Sequence, residues 1–552
     1  MDVRYLKSSL YMQALRSLGE RSADTIIVSG SHILETGGGE ALDEALNHCD
    51  RVLKPTGLLL LQGTPRNLPE RILPLMKSLQ FKYWIVLESS VLAGATGLPT
   101  AHAAVVLFAK SGKSFPISKI RFPHRYCPFC NRTLRDWGGK SHLMNPAGYA
   151  LSDVWRDLPK RNNYTKLSLP VLEVLLRLAD SESGTCLVFP YEGVDFDGGE
   201  YSVAFPVPQA SRLHPPPVPP PPAEINTIDD ALLDVVHCGD AVEVLREYPD
   251  NSIDLAFADP PYNLAKAYSN YTDEESDEQY IDWCNAWLAE YIRVLKPTGS
   301  LYILNLPKWA IYHAAFLNRR LHFQNWIAWD AISEPRGKIM PAHYALLFYT
   351  KHPTDFTFNY EDVSPIDAPS FCLRASCVRE RKAQGVDPKV PLTDIWWDIH
   401  RIKHKRDRDF HPCQLPEKLM ERVIRLSSNK GDVVLDALCG AGTTAVAAYK
   451  LGRRFIAVDV DKRYAEMTRA KLRQLAMWGV VPRQSEVRRR SEVTKKELQL
   501  ELRKLAETLG RLPTKEDVQR LSKYDLELFQ KAFRTWGKAL KAAKLRVPPG
   551  QG

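Results

Sequence analysis

Val433–Gly452 reads VVLDALCGAGTTAVAAYKLG, and RRFIAVD follows at once, ending in Asp459. A short apolar run, a glycine-rich turn and a helix-forming stretch imply a buried strand running into a helix. Glycines at such a turn let the backbone approach a ligand close to a helix N-terminus. The second apolar run ends in an acid seventeen residues beyond Gly442. An acid there can accept hydrogen bonds from both ribose hydroxyls of an adenosine cofactor. A third fingerprint glycine and a phosphate-binding lysine are both missing, which disfavours a dinucleotide or ATP. The candidate cofactor residues are therefore Asp436, Gly440, Gly442, Thr443 and Asp459.

Working upstream, the same alternation recurs. DLAFA, SLYILN and the apolar run Tyr344–Tyr349 read as buried strands. Helical patterns lie at Tyr280–Leu295, around Trp309–Leu317 and at Pro416–Leu426. Strands alternating with helices predict a mostly parallel sheet covered on both faces, an α/β fold of Rossmann-like type. The strand DLAFA ends in Asp259-Pro260-Pro261-Tyr262. An acid at the carboxyl end of a parallel strand stands where such sheets bind ligands. Two prolines stiffen the turn and remove its N–H donors, leaving the Pro260 carbonyl to accept. The amino group of a flipped base has two N–H bonds, which Asp259 and the Pro260 carbonyl can take together. That grip pushes the nitrogen lone pair out of conjugation, and Tyr262 offers a face for the base to stack on.

These residues resemble the amino-methyltransferase family of DNA-modifying enzymes. Its D/N/S-P-P-Y/F/W motif matches Asp259–Tyr262, and its cofactor loop matches Asp436–Gly442. The catalytic motif comes first and the cofactor loop second, as in the β group of the family. The resemblance covers roughly residues 234–472. It implies S-adenosylmethionine as methyl donor, double-stranded DNA as substrate and adenine N6 as acceptor, with Asp459 on the ribose. It also implies cofactor contacts from Asp240 of the Gly239-Asp240 pair, and from His411 and Gln414 of HPCQLP. Leu415 stands where the family has lysine, and Ala437, Leu438 and Ala441 depart from its usual loop. Cytosine N4 as acceptor and a non-catalytic nucleic-acid-binding relic are alternative readings. A cognate restriction nuclease or a defence protein is the companion that a restriction-modification setting would supply.

The chain also repeats itself. RVLKPTG occurs at Arg51–Gly57 and Arg293–Gly299, Ala101-His102 matches Ala342-His343, and DVWRD at Asp153 matches DIWWD at Asp394. All three pairs lie 241–242 residues apart in the same order, which predicts two copies of one domain. Between them, HPPPVPPPPAE predicts an extended spacer. The expected organisation is a first copy over 1–204, a proline-rich linker over 205–224, a catalytic domain over 225–480 and a small all-helical module over 493–548. The first copy has Ser29-Gly30-Ser31-His32 in place of the catalytic motif. Phe189-Pro-Tyr-Glu-Gly193 replaces its glycine turn. It should be catalytically silent. Because β-group enzymes pair as dimers, the resemblance implies an intramolecular pseudo-dimer.

The 552 residues carry a net charge of +9, unevenly spread. Val460–Gly552 holds 23 Lys and Arg against 11 Asp and Glu, which suits a polyanionic partner. Its tail, with LGRLPTKEDV and FRTWGKALKAA, resembles the homing-endonuclease-associated repeat, thought to bind DNA. Phe533, Trp536 and Leu540 have the spacing of a helical core. Arg488, Arg489, Arg490, Lys538 and Lys541 are candidate phosphate contacts, as are Lys403, Lys405 and Arg406 of the catalytic copy. Thr494-Lys-Lys-Glu497 has the pattern of a capping box. Cys127-Pro-Phe-Cys130 has zinc-knuckle spacing. With Cys372 and Cys377 it could form one structural zinc site, within or between copies, His124 and His142 being alternative ligands. Scattered cysteines, no secretory signal pattern and no membrane-length apolar run make a cytoplasmic protein the expectation.

Overall fold

The computed structural model describes residues 2–92, 96–111, 116–134, 144–156, 158, 166–179, 184–195, 224–264, 274–331, 338–386, 388–402, 414–479, 495–533 and 535–545. Most of the proline-rich linker, His411, the basic residues Lys403, Lys405, Arg406, Arg488, Arg489 and Arg490, His142 and the cap residue Thr494 lie outside these.

The first copy builds a seven-stranded sheet. Its strands are β1 (Asp2–Tyr5), β2 (Ala23–Ser29), β3 (Leu53–Gly63), β4 (Gln80–Leu92), β5 (Thr100–Ala109), β6 (Val154–Trp155) and β7 (Thr185–Phe189), in the order β1-β7-β2-β3-β5-β4-β6. The second copy builds an eight-stranded sheet. Its strands are β8 (Val235–Cys238), β9 (Ile253–Ala258), β10 (Leu295–Asn305), β11 (His322–Asp330), β12 (His343–Thr350), β13 (Ile395–Trp396), β14 (Val433–Asp436) and β15 (Arg454–Asp459), in the order β8-β15-β14-β9-β10-β12-β11-β13. Only β12, antiparallel to both neighbours, breaks the parallel run, and β5 does the same in the first sheet. The expected α/β class is the observed one.

The two sheets correspond strand for strand except at one place. In the second, β15 separates β8 from β14; in the first, β1 pairs directly with β7. Among the described residues, the helix and strand that follow the glycine turn have no counterpart in the first copy. Phe189 passes instead into a single turn at Tyr191–Gly193. The copies also differ at the residues aligned with Asp259–Tyr262. Helix Gly30–Val52 begins directly after β2, on the residues aligned with the Asp-Pro-Pro-Tyr turn. A Cβ on Gly30 would stand 2.6 Å from the Gln62 carbonyl, so the helix start is pressed against β3 where the other copy opens a cavity.

The repeated sequence motifs form the joint between the copies. Asp394 Oδ1 accepts from the Ala101 and His102 N–H groups at 2.7 and 3.1 Å. Reciprocally, Asp153 Oδ1 accepts from the Ala342 N–H at 2.8 Å, and its Oδ2 lies 3.0 Å from His343 Nδ1. Asp153 N–H donates to the Met340 carbonyl and Asp394 N–H to that of Pro99. Each residue makes the contact its equivalent makes from the other side, as in an isologous interface.

The C-terminal unit is a set of short helices, Lys495–Leu509, Lys515–Leu521, Leu526–Phe533 and Trp536–Ala542. They enclose Leu498, Leu502, Val518, Phe529, Phe533 and Ala539, with Trp536 packed against that core. Leu540 is buried as expected, and Lys538 and Lys541 are exposed on the last helix. A capping box does occur in this unit, at Thr514 and Asp517, with Arg511 paired to Asp517.

Candidate active site

Strands β14, β9 and β15 are parallel neighbours with helices leaving their carboxyl ends, so the motifs that follow them share one edge of the sheet. They enclose a cavity of about 550 Å³, within the ordinary size range of small-molecule sites. Asp259, Pro260, Pro261, Tyr262, Asp240, Gln414, Asp436, Gly440, Thr443 and Asp459 all line it. Residues some 200 positions apart in sequence thus face one space. Cys439 N–H and Gly239 N–H bond the carbonyls of Val458 and Asp459, tying the glycine turn to its neighbours.

On the turn, Gly440 and Gly442 have φ of +47° and +72°, which a side chain would strain. At Gly442 there is also no room, since a Cβ would meet Thr468 at 2.4 Å. Asp459 Oδ2 accepts the Gly440 N–H and Oδ1 that of Asp461, both at 2.8 Å. Burial outweighs those bonds and pushes Asp459 up to about 6, the charge of Asp461 adding to the rise. Asp436 is buried, accepts the Thr444 hydroxyl and the Leu438 N–H, and is raised to about 7, again by burial first. Asp240 caps the short helix after it, accepting from the Val242 and Glu243 N–H groups at 2.8 and 3.1 Å. Its carboxylate therefore has a structural task as well as a place on the cavity wall.

On the opposite wall, Tyr262 is buried and its hydroxyl donates to Asp259 Oδ1 at 2.7 Å. Its carbonyl accepts from Trp309 Nε1 at 2.9 Å. Tyr280 donates its hydroxyl to the Pro261 carbonyl and accepts from the wholly buried Asn305, which also meets His313 Nε2 at 3.0 Å. Among the described residues no donor reaches the Pro260 carbonyl. Tyr280, Asn305 and Trp309 escaped sequence reading. They belong to no motif; only register in the helix after the turn and in the next helix aims Tyr280 and Trp309 at its carbonyls, and register on β10 sets Asn305 against the Tyr280 hydroxyl.

Sequence reading also put four cysteines forward, and Cys127, Cys130, Cys372 and Cys377 do converge, away from this cavity. His124 does not join them, since its Nε2 stands 2.9 Å from the Asn145 carbonyl.

In the cavity of this α/β sheet an acid-proline-proline-aromatic turn and a glycine turn line one space. The DNA methylase family matches residues 253–470, and the homing endonuclease associated repeat matches 493–546. The type II methyltransferase M.BamHI of Bacillus amyloliquefaciens is 41% identical over 231 residues, 40% of this chain and 53% of that protein. M.HpaI of Haemophilus parainfluenzae, also a type II methyltransferase, is 36% identical over 240 residues, 43% of this chain and 73% of that protein. The DNA adenine methyltransferase YhdJ of Escherichia coli (strain K12) is 33% identical over 240 residues, 42% of this chain and 80% of that protein. The chain thus spans about half the length of M.BamHI and more of the other two. It belongs to the DNA methylase family.

Proposed function

We propose that this chain is a site-specific DNA methyltransferase that methylates adenine N6 in double-stranded DNA with S-adenosylmethionine. One observation carries the reading: the Asp259–Tyr262 turn and the Asp436–Asp459 turn line one cavity. The walls suit the cofactor. Asp459 offers carboxylate oxygens to ribose hydroxyls, Phe257, Leu438 and Val460 offer apolar surface, and the buried Asp436 with the half-buried Asp459 favours a ligand carrying positive charge. The bound cofactor supplies a methyl group activated on a sulfonium.

The chain's own residues then hold the acceptor. Asp259 and the Pro260 carbonyl accept the two N–H bonds of the exocyclic amino group, which localises the nitrogen lone pair and turns it towards the cofactor side of the cavity. A carboxylate has about four lone-pair sites, so Asp259 can serve the Tyr262 hydroxyl and an amino N–H together. Trp309 and Tyr280 hold the turn still, so little reorganisation is needed when the base arrives. The adenine assignment is supported by the acid in the first motif position and by the name of one relative, YhdJ. Exposed Lys538 and Lys541 of the C-terminal module are proposed to add salt-dependent phosphate contacts.

Methylated DNA digested to nucleosides tests the reading. N6-methyladenine is the expected product; N4-methylcytosine alone would move the assignment to cytosine, and neither product would end it.

A further inference from the structure

Cys127 and Cys130 come from the first copy, Cys372 and Cys377 from the second. All four Sγ atoms lie within 4.8 Å of one another. Cys127 meets Cys377 at 3.8 Å and Cys130 meets Cys372 at 3.6 Å. A tetrahedral zinc tetrathiolate with bonds of about 2.3 Å has sulfur–sulfur edges of about 3.8 Å. A disulfide needs about 2.05 Å, and all four cysteines are free. Three of the four are almost wholly buried, in a cluster shielded by Phe129, Leu134 and Phe371.

The backbone around the thiols is built to hold them. Cys127 N–H bonds the Arg132 carbonyl, and Asn131 N–H the Cys127 carbonyl, closing a tight knuckle at which Asn131 has φ of +50°. From the other copy, Arg374 Nη1 donates to the Thr133 carbonyl at 2.8 Å, fastening the two loops beside the cluster. Cys377 lies in the first turn of helix Ala375–Ala383, and Arg381, one turn on, shares its face. Arg381 is 0% exposed, and its three guanidinium nitrogens have no hydrogen-bond partner among the described residues. The guanidinium stands 4.8 Å over the ring of Phe371, the neighbour of Cys372. A lone buried cation is costly unless a counter-charge is near. Zinc with four thiolates carries a net charge of −2, and would supply it.

We infer that Cys127, Cys130, Cys372 and Cys377 form a zinc tetrathiolate bridging the two copies, a structural clamp that holds the silent copy on the catalytic one. Binding is metal exchange without redox: one Zn²⁺ enters, four thiols lose their protons, and the sulfurs share the metal. A closed tetrahedral set of sulfurs leaves no open position for substrate or water, which marks the site as structural.

The test uses the full chain purified under reducing conditions without chelator. Elemental analysis should give one zinc per chain. The stripped chain titrated with Co²⁺ should develop the intense visible bands of tetrahedral cobalt thiolate. The double variant Cys130→Ser/Cys372→Ser should bind neither metal. A folded wild-type chain with no zinc and no cobalt spectrum overturns the inference. So does stoichiometric iron, or a mass four units light that marks two disulfides. The cobalt titration on the wild-type chain stands even if the variant fails to fold, and none of these measurements depends on methyl transfer.

Discussion

Trp84 and Trp326 stack face to face across the joint between the copies, with ring centroids 4.1 Å apart and planes 7° from parallel. They occupy equivalent places on β4 and β11, so the pseudo-twofold axis passes between two copies of the same residue. Trp84 Nε1 also donates to His102, whose other ring nitrogen meets the Trp326 carbonyl at 2.9 Å. Both indoles are almost wholly buried. Trp84→Ala should therefore destabilise the chain by about 3–5 kcal/mol, the usual cost of emptying a large aromatic site. Chemical denaturation read by circular dichroism measures it. A loss below about 1 kcal/mol would mean that the joint contributes little to folding.

One cofactor should bind per chain. Among the described residues the first copy shows no strand and helix equivalent to those after the glycine turn, and helix Gly30–Val52 starts where its catalytic turn would be. Calorimetry with S-adenosylmethionine should give a stoichiometry of one, abolished or weakened about 10- to 100-fold by Asp459→Ala, as expected for lost hydrogen bonds to a carboxylate. Two equivalents would show that the first copy retains a site.

At the catalytic turn, Asp259→Ala should lower kcat on the order of 10²–10³-fold, the scale for removing one preorganised partner of the reacting group. Tyr262 separates two roles. Tyr262→Phe removes the hydroxyl that bonds Asp259 and keeps the ring, so activity should stay within about tenfold. Tyr262→Ala should lose the stacking of the base, about 1–3 kcal/mol. Single-turnover methylation of an oligonucleotide distinguishes them; equal losses in both variants would place the importance of Tyr262 in its hydroxyl.

Cofactor affinity should depend on pH in the acid range. Asp459 is raised to about 6 in the free chain. A ligand that bonds the ionised carboxylate binds fully above that value and weakens as pH falls through it, by up to about tenfold per unit. The ligand-free chain should respond in the opposite sense. Asp436 and Asp459 are both raised by burial, so the folded form binds more protons than the unfolded chain between about pH 4 and 7. These two acids then add stability as pH falls across that window. Binding isotherms at pH 5, 6, 7 and 8 check the first claim, and unchanged affinity at pH 5 would contradict it.

Much of this was legible in the sequence because it is local. The Asp-Pro-Pro-Tyr turn needs four consecutive residues, and the glycine turn needs a strand before it and a helix after it, so pattern alone located both. The repeated motifs at Ala101, Asp153, Ala342 and Asp394 were visible as a repeat, but not as the joint itself. Reciprocal hydrogen bonds between distant segments leave no periodic trace. The supports Tyr280, Asn305 and Trp309 were hidden for the same reason, their task being set by sheet register. The sequence put Cys127, Cys130, Cys372 and Cys377 forward as one site, but could not choose between a site within a copy and one across copies, since a C-x4-C pair has no geometry of its own. The absence of a glycine turn in the first copy was plain, yet that β1 moves up to pair with β7 follows only from the need to cover an exposed sheet edge.

The covalent pairing has an arithmetic consequence. A symmetric homodimer brings two working centres to DNA, related by the same twofold that relates the strands of a palindrome. On the proposed function, the surface through which a second catalytic copy would join is here taken by the first copy, held at Asp153, Asp394 and the Trp84–Trp326 stack. On that reading each encounter would modify one strand only, and a palindrome would need two visits.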